Sequence, residues 1–180
     1  HNVMNTDFVV DVSDQATNHL NMLFNTKTGQ QYLTANKGLD SKFVHRLPEF
    51  GFSSIANILA SIKLAKYMKL GPDDAIITVA TDGADLYLTE LEKIKKEFIG
   101  SYDVTACAEI YGQYMKAITT DNLIELNQID KERIFNLGYY TWVEQQGIDL
   151  KNFEARRKQS FWDEHLKKTL ALDKKIDQFN

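Results

Sequence analysis

The stretch that decides the predicted fold lies near the middle of the chain and reads Ile76-Ile77-Thr78-Val79-Ala80-Thr81-Asp82-Gly83. It belongs to an apolar run that begins at Ala75 and does not alternate with polar residues. Such a run is typical of a strand buried on both faces of a parallel sheet. Thr81-Asp82-Gly83 would then place a hydroxyl and a carboxylate at the carboxyl end of that strand, where open α/β sheets bind ligands.

A second segment upstream reads Gly51-Phe52-Ser53-Ser54-Ile55-Ala56-Asn57. It predicts a glycine turn whose serines cap a long helix, which ends at Leu70-Gly71-Pro72. The free N–H groups at the start of a helix attract anions. Helix caps and strand-end loops are common, so neither segment alone distinguishes a ligand site from ordinary structure.

The predicted secondary structure changes near Gly100, without a clear linker, from a partial α/β region, 1–100, to an all-helical extension, 101–180. Before Gly100 we expect a strand at Phe8–Val12, a helix capped by Ser13 and Asp14, short helices within 29–47, and a helix over 85–98. After it we expect helices over 102–118, 130–146 and 151–179, with a stop at Gly147. Two strands do not form a stable sheet by themselves. Together with the absence of an initial Met, this suggests a portion of a longer protein.

Composition excludes several function classes. The chain has 180 residues, 43% of them hydrophobic and 26% charged, with a formal charge of −4, which gives no reason to expect nucleic acid or a membrane as partner. The lone Cys107 cannot form an intramolecular disulfide, so we expect a cytoplasmic protein with this thiol on the apolar side of a helix. His19, His45 and His165 lack metal-ligand spacing, and no metal site is predicted.

In order and spacing, these segments resemble the fold-type II pyridoxal-phosphate enzymes, the group of cysteine synthase, cystathionine β-synthase and threonine dehydratase. The landmarks are Asp7-Phe8-Val9-Val10-Asp11-Val12-Ser13-Asp14-Gln15-Ala16, then Gly51-Phe52-Ser53-Ser54-Ile55-Ala56, then Lys63-Leu64-Ala65, then Thr81-Asp82-Gly83. Residues 7–90 carry most of the likeness. A less familiar branch of the family is similar through Tyr139-Tyr140-Thr141-Trp142-Val143-Glu144.

The resemblance implies the carboxy-terminal part of an α/β fold of the tryptophan-synthase-β-like type, with few parallel strands, helices and a helical tail. It implies pyridoxal 5'-phosphate as cofactor, with Thr81 bonded to the pyridine nitrogen. Gly51, Ser53 and Ser54 would line the pocket, while Asp82 either faces it or caps the next helix with Gly83. The activity would be β-elimination or β-replacement on a small amino acid, that of a lyase or transferase, in a possible homodimer.

The departures from the family are also specific. The Schiff-base lysine, the Gly-rich phosphate loop and the substrate-binding asparagine loop would precede the landmarks, so this chain alone is expected to be inactive. Lys63, Lys66 and Lys69 are interpreted as solvated charges on a helix. The segment between Leu23 and Phe50 is long, Ile55 replaces a frequent glycine, and Asn57 replaces a small apolar residue.

Two other functions stay open. A non-enzymatic helical interaction domain would fold alone and ignore pyridoxal phosphate. An elimination-only ammonia lyase or dehydratase would share the cofactor but not the replacement step. The aromatic residues of the tail favour packing over a stacking platform; they are Tyr139, Tyr140, Trp142, Phe161 and Trp162.

Overall fold

The computed structural model describes residues 2–98, 100 and 102–179. By internal contact the chain separates into two compact units, one formed by His1–Val9 with Ile124–Asn180 and the other by Val10–Leu123. Residue 100 lies inside the second unit, and the division into 1–100 and 101–180 stays a prediction.

Helices dominate the described chain. The α-helices are α1 (Asp14–Asn25), α2 (Lys27–Ala35), α3 (Ser41–Val44), α4 (Phe52–Met68), α5 (Leu88–Glu97), α6 (Val104–Tyr111), α7 (Gln128–Tyr139), α8 (Leu150–Ala155) and α9 (Gln159–Phe179). Short 3-10 turns occupy Val3–Asn5, Leu47–Glu49 and Ala84–Tyr87. Helices α6 and α7 continue directly into π-helical segments, Gly112–Lys116 and Tyr140–Gln145.

Several helix ends follow the predicted chemistry. The Ser13 hydroxyl accepts the amide of Ala16 at the start of α1, and Gly147 has φ +67° after the second π-helical segment. Both predictions are confirmed. The end of α4 differs: Lys69, not Gly71, adopts the left-handed conformation at φ 54°, and Leu70 donates to the carbonyl of Ala65. The helix therefore closes two residues before the predicted glycine.

Two strands were predicted and two are present in the part of the chain that the structure describes, but one of them lies elsewhere in the sequence and the pair is antiparallel. Strand β1 (Phe8–Val10) confirms the first part of the predicted strand, and it pairs with β2 (Leu123–Glu125), a strand that was not predicted. The amide of Asp11 donates to Asn122 and that of Leu126 donates to Asp7, which is the register of an antiparallel pair. Among the described residues the sheet is this ribbon, without the expected parallel strands.

The predicted buried strand over 75–80 is wrong for this chain. The segment has no regular structure and every residue in it is exposed, with Ile77 at 97% and Val79 at 66%. An apolar run forms a buried strand only when neighbouring strands satisfy its backbone and cover its faces. The strands of the described chain pair with each other elsewhere.

The core of the 10–123 unit is helical. Helix α1 packs against α2, α4, α5 and α6, and the most deeply buried side chains include Leu20, Leu23, Leu33 and Ile55, each 2% exposed or less. Cys107 is fully buried on the apolar side of α6, as predicted. This helical core, more than any sheet, fixes the position of α4 and its first turn.

The other unit has a smaller aromatic core. Val3, Phe135 and Phe153 are buried together, and the Phe135 and Phe153 rings lie 4.8 Å apart. The Arg156 guanidinium lies 5.3 Å from the Trp142 ring. Tyr139 packs edge-on against Phe153, as predicted for the tail aromatics, whereas Tyr140 and Trp142 are exposed.

Candidate functional site

The structure brings two of the predicted site segments into contact. The Ser54 hydroxyl accepts the backbone amide of Thr81 at 2.8 Å, and the two side-chain oxygens lie 3.2 Å apart. Ser54 is 1% exposed, whereas Thr81 is exposed. Because 27 residues separate them in sequence, this is a tertiary contact that joins the first turn of α4 to the end of the apolar run.

Gly51 and Asp82 form the second connection. The Gly51 amide donates to the Asp82 carbonyl at 2.8 Å. A Cβ at residue 51 would lie 2.4 Å from that carbonyl oxygen and 2.8 Å from the Tyr87 ring. Glycine is therefore required here by the close approach of the two loops. At Gly83, a Cβ would lie 2.8 Å from an Asp85 carboxylate oxygen and 3.4 Å from the Pro48 carbonyl.

The remaining predicted site residues have different surroundings. Ser53 is exposed, and the expected serine cap is wrong because Gly51 occupies the N-cap of α4 without a side-chain cap bond. Asp82 is exposed, and Gly83 is the N-cap residue of the following 3-10 turn. Asp82 therefore does not cap that turn; its carbonyl holds Gly51.

Asn57, which departs from the pattern of the family that the chain resembles, belongs to this arrangement. Its side-chain amide donates to the Val79 carbonyl at 2.9 Å. Asn57 lies three positions after Ser54, so the two polar side chains share one face of α4. They form hydrogen bonds with Val79 and Thr81 of the apolar segment. The signal available in the sequence was this pair of polar side chains at helical spacing.

The two lysines of α4 donate to backbone carbonyls while keeping contact with solvent, since Lys66 is exposed and Lys63 partly exposed. The Lys63 ammonium donates to Asp11 at 2.9 Å and to Asp121 at 2.8 Å, and Lys66 donates to Ile118 at 2.5 Å. These bonds tie the strand ends to α4. The ammonium of Lys63 also lines a mixed polar cavity of about 430 Å³ beside the first π-helical segment.

A second cavity of about 350 Å³ is lined by apolar side chains from α1 to α4 and from α6 with its π-helical continuation. Its floor includes Leu20, Leu33 and Leu59, all buried. Neither this cavity nor the polar one is lined by Ser54 or Thr81. The contact between the two site segments therefore lies outside both cavities, with Thr81 at the surface.

Cys107 is placed as a structural thiol. It is fully buried, and burial raises the pKa of its thiol. A raised pKa lowers the thiolate fraction at neutral pH, which is opposite to the activation of a nucleophilic cysteine. The described residues contain no group of three or more His, Cys, Asp or Glu side chains arranged to hold a metal ion.

Comparison with protein-family models, with curated proteins and with solved structures found no match to this chain. Within the described residues, no helix is both long enough and apolar enough to span a bilayer.

Proposed function

We propose that this chain is part of a pyridoxal-phosphate-dependent enzyme of the cysteine-synthase type, which performs β-elimination or β-replacement on a small amino acid. The observation that carries the proposal is the contact between Ser54 and Thr81. The resemblance places the serine turn and the Thr-Asp-Gly turn at one site although they are far apart in sequence, and this contact joins the two turns.

The hydrogen bonds of this pair fit a cofactor with a ring nitrogen. The Ser54 oxygen already accepts the Thr81 amide, so its own proton can be donated to the Thr81 oxygen 3.2 Å away. The Thr81 proton is then available to an acceptor outside, and Thr81 is exposed to receive one. A pyridine nitrogen is such an acceptor, and a neutral hydroxyl donor would leave it largely unprotonated.

Supporting roles follow for the neighbours. Gly51 and Gly83 permit the close approach of the two turns, and the bond from Gly51 to Asp82 holds them together. The exposed Ser53 would contribute to the pocket floor. The cofactor would supply an electron sink for loss of the α-proton and the β-substituent, while the lysine that binds it would come from sequence upstream. We therefore expect no activity from this chain alone.

The coding sequence upstream of His1 provides the first test. We expect a continuous reading frame that contains a Ser-x-Lys segment and a Gly-rich loop. A start codon and promoter immediately before Asn2 would remove the basis of the proposal.

The second test uses the longer protein specified by that frame. Thr81→Val removes the proposed donor, and we expect it to weaken cofactor retention about tenfold, the effect of losing one hydrogen bond to a buried group. Thr81→Ser keeps the hydroxyl and should retain the cofactor. Thr78→Val makes the same change in the same exposed segment and serves as the matched control. Cofactor content is read from the visible absorbance after dialysis, and equal retention by all three variants would contradict the assignment of Thr81.

The alternatives predict other results. A non-enzymatic helical interaction domain would give a colourless longer protein, or none encoded at all. An elimination-only ammonia lyase or dehydratase would bind the cofactor and release ammonia and a keto acid from a hydroxy amino acid, but would not join an added thiol or sulfide to the substrate. Product analysis with and without that nucleophile separates this possibility from a synthase.

A further inference from the structure

The apolar cavity of the 10–123 unit is buried at one end and open at the other. Its floor includes Leu20, Leu33 and Leu59, each 3% exposed or less. Leu39 and Phe43 also line it, and they are 37% and 53% exposed. The cavity therefore reaches solvent at a mouth beside α3. Its volume of about 350 Å³ falls within the range of roughly 300–1,000 Å³ that small-molecule sites occupy.

The wall of this cavity is almost entirely hydrocarbon. Among the described residues that line it, Tyr111 alone has a polar side chain. A water molecule held inside a protein needs about two to four hydrogen-bond partners, and a single phenol does not supply them. A void is also costly, because its lining groups lose dispersion contacts in proportion to its size. An apolar ligand avoids both costs.

The size and the mouth restrict the shape of that ligand. A volume of about 350 Å³ is near the lower end of the range for small-molecule sites, so it admits one short chain and not the two long chains of a phospholipid. Because the mouth beside Leu39 and Phe43 is exposed, one end of such a chain can remain in water. The ligand is therefore an amphiphile with a single aliphatic chain.

The charges beside the mouth select the head group. The Lys37 ammonium lies 4.4 Å from the centre of the Tyr111 ring, which lines the cavity. Lys42 is exposed and directly precedes Phe43 on α3. The carboxylate of this segment, that of Asp40, accepts the Phe43 amide at the start of α3. Two cations against one carboxylate that already caps a helix favour an anionic head group.

We propose that this cavity binds a medium-chain aliphatic carboxylate, with its chain over Leu20, Leu33 and Leu59 and its carboxylate beside Lys37 and Lys42. The inference does not depend on the proposed cofactor chemistry, since neither Ser54 nor Thr81 lines the cavity.

Calorimetric titration of the full 180-residue chain with decanoate tests the ligand class. We expect saturable binding of one molecule per chain. Affinity should rise about fourfold per methylene from hexanoate to decanoate, the effect of burying each added group, and far less from decanoate to tetradecanoate because the cavity is then filled. The decyltrimethylammonium ion has a similar chain and the opposite charge, and it should bind at least tenfold more weakly than decanoate.

Two variants with matched controls locate the site. Met115→Trp fills the cavity from the first π-helical segment and should weaken decanoate binding more than tenfold, whereas Met68→Trp makes the same change at an exposed position that lines neither cavity and should leave binding unchanged. Lys37→Gln should weaken decanoate binding about threefold, the effect of one exposed charge pair, without changing the affinity for decanol. Lys168→Gln on α9 removes an exposed lysine of the other unit and should have no effect.

Methyl resonances of the parent chain provide a measurement that requires no variant. Those of Leu33 and Leu59 should shift on addition of decanoate, while those of the exposed Leu172 on α9 should not. Binding only at concentrations where decanoate forms micelles, equal affinity for the cationic analogue, or shifts at Leu172 without shifts at Leu33 and Leu59 would each overturn the proposal.

Discussion

The contact between Ser54 and Thr81 allows a stability prediction that requires no cofactor. Ser54→Ala deletes a hydroxyl that is 1% exposed, accepts the Thr81 amide at 2.8 Å and lies 3.2 Å from the Thr81 hydroxyl. The perturbation therefore removes both hydrogen bonds that join the first turn of α4 to the end of the apolar segment, and it adds no bulk.

The exposure of the partner sets the magnitude. A net intramolecular hydrogen bond contributes about 1 kcal/mol, and leaving a buried partner unsatisfied costs about 1–3 kcal/mol. Thr81 is exposed, so water can reach its amide and hydroxyl once the serine oxygen is gone. The second cost is then largely avoided, and we expect Ser54→Ala to lower the free energy of unfolding by about 1–1.5 kcal/mol.

Two measurements check this result. Urea denaturation of the full chain gives the change in free energy, and hydrogen exchange gives the protection of the Thr81 amide, which should fall selectively in Ser54→Ala. Ser53→Ala is the matched control because Ser53 is exposed on the same helical turn, and its effect should stay within about 0.5 kcal/mol. Equal stability and equal Thr81 exchange in the two variants would refute the role given to Ser54.

Two further predictions concern the same unit. Gly51→Ala should destabilise the chain by about 1–3 kcal/mol, because its Cβ would lie 2.4 Å from the Asp82 carbonyl oxygen. Gly38→Ala is the control: Gly38 has φ +66° and no atom within 4 Å of the position that a Cβ would take, so the substitution should cost only about 1 kcal/mol. Thermal unfolding of the two variants measures the difference, and equal costs would argue against the close approach of the loops. Burial raises the pKa of the Tyr102 phenol well above its usual value, as does its hydrogen bond with Cys107. Because the pKa of Tyr102 is higher in the folded chain than in the unfolded chain, its protonated phenol contributes its full share to the free energy of unfolding below the unfolded pKa of about 10. That contribution is lost as pH rises above this value. Tyr102→Phe should therefore flatten the alkaline fall in unfolding free energy measured by urea titration, and an unchanged slope would contradict this origin.

Local sequence signals predicted the helices well and the strands poorly. The Ser13 cap and the Gly147 stop are set by side-chain chemistry and backbone freedom within a few residues, so they can be predicted without tertiary information. The apolar run at 75–80 contains no such local determinant. Its burial depends on strands placed beside it, and the described chain leaves Ile77 almost fully exposed.

The candidate site shows the same contrast between features set by local sequence and features set by tertiary packing. The resemblance implies that the Gly51 turn and the Thr81 turn share a cofactor pocket. The structure joins the two turns through Ser54 and Asp82, and neither of the two cavities described above is lined by Ser54 or Thr81. The detailed bonding was not predictable, because a serine in the first turn of a helix can cap that helix or bond a distant loop with similar energy. Which of these Ser54 does is decided by the path of the 75–81 segment over α4, which Asn57 also fixes through Val79.

The path of the 75–81 segment over α4 bears on whether this segment can pair with further strands. Ser54 and Asn57 hold its last residues by the amide of Thr81 and the carbonyl of Val79, while the side chains of Ile77 and Val79 face outward. A segment that is already held at one end loses less backbone entropy when it pairs with neighbouring strands. In the proposed enzyme such strands would come from the half that carries the lysine, and their addition would bury Ile77 and enclose the exposed hydroxyl of Thr81. Assembly of the sheet and formation of the cofactor pocket would then be a single event. The free chain should accordingly show slow hydrogen exchange at Thr81 but fast exchange at Ile77, and protection at both positions in the longer protein.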